Sequence, residues 1–172
     1  MTDFDRFHQQ QCPMKIENIK ISDVATCGGD TDWLYSDIVK EHFFNPQNIL
    51  INDTDYESDG IGIVGSPACG DMMVVWIRVN QKTKRITECA WRTFGCASAI
   101  ASTSMMSVMA TENGGMSLHD AKRLMPEAIL ERLGGLPDRK YHCSVLGHQA
   151  LHEAVLDYEQ NIVHWNHHET TR

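Results

Sequence analysis

The sequence has no run of about 20 apolar residues, the length that a membrane-spanning helix requires. It is also short of basic residues, since 15 Lys and Arg against 23 Asp and Glu give a formal net charge of −8. Phosphate contacts need clustered Lys and Arg, so this balance argues against a nucleic-acid partner. The polar, acidic N-terminus lacks the positive start and apolar segment of a signal peptide. We therefore expect a cytoplasmic protein with neither nucleic acid nor membrane as a partner.

Cysteines are few, with six in 172 residues, and no two of them form a Cys-x-x-Cys pair. Six are too few for a disulfide framework in a chain of this length, and thiols stay reduced in the cytoplasm. The pair of motifs that marks zinc deaminases, His-x-Glu with Pro-Cys-x-x-Cys, is also missing. Widely spaced cysteines in such a protein indicate metal or sulfur chemistry.

Alternating apolar residues predict a small antiparallel sheet in the first half of the chain. A strand should cover residues 72–79, and residues 81–84 should connect it to a returning strand over 86–94. The short run 61–64 predicts a third strand. Strands in the first half and helices in the second indicate an α+β fold, a three-stranded antiparallel sheet packed by about five helices.

Several helix boundaries can be predicted from capping residues. Thr31 or Asp32 should cap a first helix that ends at Asn45-Pro46. A helix should follow Gly95, and the last one should run from about Cys143 to Tyr158. Two shorter helices are marked by the capping box at Ser117–Asp120 and by Pro126 followed by Gly134. We expect an N-terminal extension over 1–31, one domain over 32–160 and a tail over 161–172.

Three cysteines lie where a thiolate is readily formed, each at the end of a predicted element. Cys69 lies in a turn rich in Gly and Pro, and Cys96 and Cys143 lie at helix starts. The N–H groups of a helix N-terminus favour the thiolate over the thiol. Asp71 follows Cys69 by two residues, so their side chains can share a face, and His142 offers a ring nitrogen beside Cys143.

This set predicts a site for iron–sulfur or zinc chemistry, because soft thiolates select those groups. A carboxylate is a poor fourth ligand for a cluster iron. Asp71 in that place therefore predicts binding weak enough for release. The remaining cysteines are assigned no role: Cys89 should pack in the core, and Cys12 and Cys27 lie in the extension.

Three segments, 65–71, 93–102 and 140–144, resemble the ligand motifs of the NifU/IscU iron–sulfur cluster assembly scaffolds, and the similarity extends over 33–158. The resemblance implies that Cys69, Asp71, Cys96 and Cys143 hold a transient [2Fe–2S] cluster, with His142 as a further metal ligand. It implies that the protein is not an enzyme. Sulfur would arrive from a cysteine desulfurase, with Cys143 as first acceptor and Cys96 as second, and the cluster would pass to apo-proteins such as ferredoxin. Iron or zinc would bind there without a cluster.

One segment departs from the family. Its bacterial IscU-type members carry Leu-Pro-Pro-Val-Lys where a dedicated Hsp70 chaperone binds, whereas residues 136–140 here read Leu-Pro-Asp-Arg-Lys. Asp138 and Arg139 replace apolar residues, which argues against a chaperone partner. A second hypothesis stays open: a zinc-bound sulfurtransferase that relays persulfide and never holds iron. A third is a desulfurase adaptor that uses the extension.

Overall fold

An antiparallel sheet of three strands forms one layer of the protein. The computed structural model describes residues 35–53, 55–66, 70–136 and 141–169, and of residues 66, 141–144 and 162–169 it describes the backbone only. The strands are β1 (Gly60–Ser66), β2 (Asp71–Asn80) and β3 (Arg85–Phe94), in the order β1-β2-β3. Five α-helices accompany them in the described residues, which confirms the predicted fold class.

The strand predictions are confirmed, and β2 begins at Asp71, one residue before the predicted run. Ser66 is the partner of Asp71 across β1 and β2, and Met72 is the partner of Phe94 across β2 and β3. The turn between β2 and β3 spans residues 81–84 as predicted. There the Asn80 side-chain oxygen accepts hydrogen bonds from the Lys82 and Thr83 N–H groups, at 3.0 and 3.1 Å.

The first helix, α1 (Asp37–Phe44), begins later than predicted. Ser36 is its N-cap, because the Ser36 hydroxyl oxygen accepts a hydrogen bond from the Val39 N–H at 3.2 Å. The candidates Thr31 and Asp32, like the whole predicted extension 1–31, lie outside the described residues. The predicted end at Asn45 is confirmed.

Three further helices begin and end where the capping residues predict. Helix α2 (Ala97–Thr111) has Cys96 as its N-cap and leads into a 3₁₀ turn at Glu112–Gly114. Helix α3 (Leu118–Arg123) is capped by Ser117, whose hydroxyl accepts from the Asp120 N–H at 3.1 Å. Helix α4 (Pro126–Leu133) has proline in its first turn and ends at Gly134 in the left-handed conformation.

The last helix, α5 (Tyr141–Glu169), is longer than predicted. Its start agrees with the placement of Cys143 at a helix start, but its end lies well beyond Tyr158, the last residue of the apolar pattern. No Gly or Pro follows Gly147 in the sequence, so nothing in the chain itself stops the helix. The predicted tail is therefore helical in its backbone as far as Glu169.

Helices α2 and α5 cover one face of the sheet. The buried side chains of β2 on that face are Met73, Val75, Ile77 and Val79, each at most 6% exposed. Helix α5 lies very close to β1. A Cβ added at Gly60 would be 2.3 Å from the Ala154 carbonyl oxygen, and one added at Gly62 would be 1.9 Å from the Ala150 carbonyl oxygen. The two glycines thus allow helix backbone to contact strand backbone.

None of the helices in the described part of the chain has the length and apolar character needed to cross a membrane.

Candidate functional site

Two of the predicted site residues, Asp71 and Cys96, lie at the same edge of the sheet. Asp71 is the first residue of β2, and Met72 after it pairs with Phe94, the last residue of β3. Thr93 ties the two strand ends together, since its hydroxyl donates to the Met72 carbonyl at 2.8 Å. Cys96 follows Phe94 by two residues and begins α2 in an extended conformation, with φ −77° and ψ 171°.

Gly95 allows the Asp71 carboxylate to approach the chain next to Cys96. A Cβ at position 95 would lie 3.2 Å from Asp71 Oδ1 and 3.1 Å from the Ala99 Cβ, closer than most such contacts. In the sequence, Gly95 is recognisable only as the boundary before a helix. Its role in this contact depends on the pairing of β2 with β3, which no local pattern contains.

The Asp71 carboxylate is buried, with 8% of the residue exposed. Its Oδ2 atom is shielded from solvent and has no hydrogen-bond partner among the described residues. A buried, unpaired carboxylate oxygen costs about 1–3 kcal/mol or more. Such an atom is suited to contact a cation, and this fits the prediction that Asp71 is a metal ligand.

Helix α5 directs its first turn toward this edge. Ala154 lies against Gly60 and Ala150 against Gly62, so the helix runs antiparallel to β1 and its N-terminal end points toward Ser66, the partner of Asp71. His142 and Cys143 lie in that first turn. Their backbone is helical, as predicted, and their side chains are not among those that the structure describes.

Cys69 lies outside the described residues. Among the side chains that the structure describes, no group of three or more His, Cys, Asp or Glu could hold a metal ion. Those of Cys69, His142 and Cys143 are not in that set, so a site formed by all five residues stays a prediction.

Cys89 differs from Cys96 in its surroundings. It is 2% exposed in the middle of β3, and burial raises the pKa of its thiol to about 12. Cys96 is half-buried at a helix start. The prediction that Cys89 packs in the core is confirmed by this burial. A thiol with such a pKa stays protonated at neutral pH.

The comparison with known families identifies the domain. A family model described as "NifU-like N terminal domain" matches residues 34–164. The chain belongs to this family. The membership confirms the resemblance that the three cysteine motifs carry.

Several known proteins are similar in sequence to this family member over most of its domain. It is 45% identical over 126 residues to "Iron-sulfur cluster assembly scaffold protein IscU 1" of Archaeoglobus fulgidus, covering 73% of this chain and 76% of the relative. "Iron-sulfur cluster assembly scaffold protein IscU" of Aquifex aeolicus is 41% identical over 124 residues, covering 72% and 75%. "Nitrogen fixation protein NifU" of Azotobacter chroococcum is 41% identical over 126 residues, 73% of this chain and 39% of the relative.

A solved structure has the same fold as this NifU-domain protein. The N-terminal domain of a NifU-like protein from Brucella abortus superposes with a TM-score of 0.55 at 19% identity. The match covers 74% of this chain and 95% of the solved one. At this identity the similarity concerns the fold alone.

Proposed function

We propose that the protein is a scaffold on which a [2Fe–2S] cluster is assembled from iron and desulfurase-derived sulfur and from which it passes to apo-proteins. The observation that carries the proposal is the buried Asp71 Oδ2, which has no hydrogen-bond partner among the described residues, at the sheet edge where Cys96 begins α2. The names of the Archaeoglobus fulgidus and Aquifex aeolicus relatives, both cluster assembly scaffolds, support it.

The ligands we assign are Cys69, Asp71, Cys96 and Cys143. Cys69 is two residues from Asp71, so their Cα atoms are at most about 7.6 Å apart. The first turn of α5 points toward the same edge, which supports Cys143 as a ligand. Positions at helix starts favour the thiolate form of Cys96 and Cys143, which is the form that binds iron.

The weak ligand in this set is Asp71. Cluster iron prefers thiolate, and a carboxylate oxygen exchanges more readily with water or with an incoming ligand. Three thiolates then hold the cluster while one position opens for transfer. His142, next to Cys143, is an alternative fourth ligand. In the absence of a cluster, the same residues are suited to zinc.

Sulfur delivery begins with a thiolate of this chain, and we assign the step first to Cys143 and second to Cys96. The thiolate attacks the outer sulfur of the desulfurase persulfide, a new S–S bond forms, and the desulfurase thiolate leaves. Reduction of each transferred sulfur to sulfide takes two electrons from an external donor. The protein thus acts as a carrier of iron and sulfur and not as an enzyme by turnover.

The test of this proposal is anaerobic reconstitution with ferrous iron, cysteine, a cysteine desulfurase and a thiol reductant as the electron donor, followed by addition of an apo-ferredoxin. We expect visible charge-transfer absorption on this protein and then its appearance on the ferredoxin. A protein that takes up persulfide but never forms a transferable cluster would be the sulfurtransferase of the second hypothesis, and the scaffold proposal would be wrong.

Replacing Asp71 by alanine should slow the loss of the assembled cluster about tenfold. The variant removes the ligand that exchanges most readily, and the His142 nitrogen, a better ligand for iron, can take the fourth position. The decay of the cluster absorption under a fixed chelator concentration measures this. Asp55→Ala serves as the control, because Asp55 is an exposed carboxylate in the loop before β1. Equal decay of the Asp71 variant and wild type would contradict the role of Asp71.

A further inference from the structure

Two histidines of α5, His148 and His152, have no role in the site proposed above. They are four residues apart, so they lie on the same face of the helix. Both line an open cavity of about 540 Å³ between α5 and the edge strand β1. The other residues that line it are Ile63, Val64, Gly65, Gln149 and Glu153.

The surroundings of His148 favour its neutral form. Burial lowers the pKa of His148 most, and nearby His152 lowers it further, whereas the Val145 backbone and the Glu127 carboxylate act in the opposite direction. Its Nδ1 atom is shielded from solvent and makes no hydrogen bond of normal distance and angle with the described residues. A neutral imidazole is the form that binds a metal ion.

Imidazoles at positions i and i+4 of a helix can bind one metal ion together, as the paired histidines of helical zinc motifs do. Imidazole nitrogens suit zinc, copper and nickel. We propose that His148 and His152 bind a divalent transition-metal ion in this cavity, at a site separate from the cysteines. Zinc is the ion on which the proposal is tested.

The site has two protein ligands. Among the described side chains no third His, Cys, Asp or Glu completes a metal-binding group, so water supplies the remaining positions. Two-ligand binding is weaker than binding by three thiolates, and the ion exchanges with solvent. His148 follows Cys143 by five residues, so an ion held between His148 and His152 lies about 10 Å along the helix axis from Cys143.

The experiment measures zinc binding by native mass spectrometry and by the ¹⁵N resonances of the histidine rings. We expect wild-type protein to take a second, weaker zinc equivalent, and the His148 and His152 ring nitrogens to shift as that equivalent is added. His152→Gln should weaken this equivalent about tenfold or more, and His148→Gln with His152→Gln should remove it. His119→Gln is the matched control, since His119 is an exposed histidine on α3.

Cys96→Ser separates this inference from the scaffold proposal. It should weaken zinc binding at the cysteines and leave the second equivalent and its ring-nitrogen shifts unchanged. Zinc uptake by wild type that leaves the His148 and His152 ring nitrogens unshifted, or a second equivalent that persists in folded His152→Gln and in the double variant, would overturn the proposal. If the double variant fails to fold, zinc binding to the single His152→Gln variant and the ring-nitrogen shifts of wild type still test the proposal.

Discussion

Replacing Gly62 by alanine is expected to lower the free energy of unfolding by about 3 kcal/mol. The new Cβ would lie 1.9 Å from the Ala150 carbonyl oxygen and 2.6 Å from the Ala154 backbone nitrogen. Both atoms belong to the backbone of α5, so no side-chain rotation can relieve the overlap and the helix must move away from β1. Urea denaturation, with the midpoint compared at a constant m value, measures the loss.

Gly65→Ala on the same strand is the matched control. A Cβ at Gly65 would meet only the Asp71 carbonyl oxygen, at 3.9 Å, which is an ordinary contact. We expect its unfolding free energy to stay within about 0.5 kcal/mol of wild type. If Gly62→Ala were as stable as Gly65→Ala, the close packing of α5 on β1 described above would be wrong.

Replacing Cys96 by serine is expected to abolish stable cluster assembly. Serine is among the preferred N-cap residues, so α2 should begin where it does in wild type. The variant thus replaces a soft thiolate by a hydroxyl, and a serine oxygen does not take its place as a ligand for cluster iron. Iron and sulfide bound per protein after anaerobic reconstitution, together with the visible absorption, measure the loss.

Cys89→Ala is the matched control, because Cys89 is a buried core cysteine and not a proposed ligand. Its buried thiol, with a pKa raised to about 12, should contribute nothing to cluster binding, so the variant should assemble as much cluster as wild type. Wild-type amounts of cluster on Cys96→Ser would remove Cys96 from the ligand set and would contradict the proposed function.

Local signals were sufficient for most element boundaries. Alternation over β2 and the Ser117 capping box depend on residues a few positions apart, and the structure has both where they were predicted. The predicted start of α1 was wrong because several polar residues in this stretch are suitable N-caps. Ser36 is the N-cap, and its hydroxyl also donates a hydrogen bond to the Leu133 carbonyl at 2.5 Å. That contact joins residues far apart in the sequence, and local propensity cannot reveal it.

In the candidate site, too, local features could be predicted from the sequence and long-range contacts could not. Thiolate-favouring positions for Cys96 and Cys143 could be predicted because helix starts are local features. The burial of Asp71 and its approach to Gly95 could not, because both arise when three strands pair and α5 covers them. Gly60 and Gly62 look like ordinary flexible residues in the sequence. The short distances from these two glycines to the backbone of Ala150 and Ala154 explain why there is no space for a side chain at either position.

Helix α2, which begins at Cys96, is buried on almost every side. Its hydroxyl side chains are fully buried except that of Thr111. Several donate hydrogen bonds to carbonyls of the preceding turn: Ser102 and Thr103 to Ala99, and Ser107 to Ser104. A helix enclosed in this way exposes its amides to hydrogen exchange only when the whole domain opens. The thiol of Cys96 is therefore attached to a helix that opens only when the domain unfolds, and heat should displace it mainly at the temperature that melts the sheet.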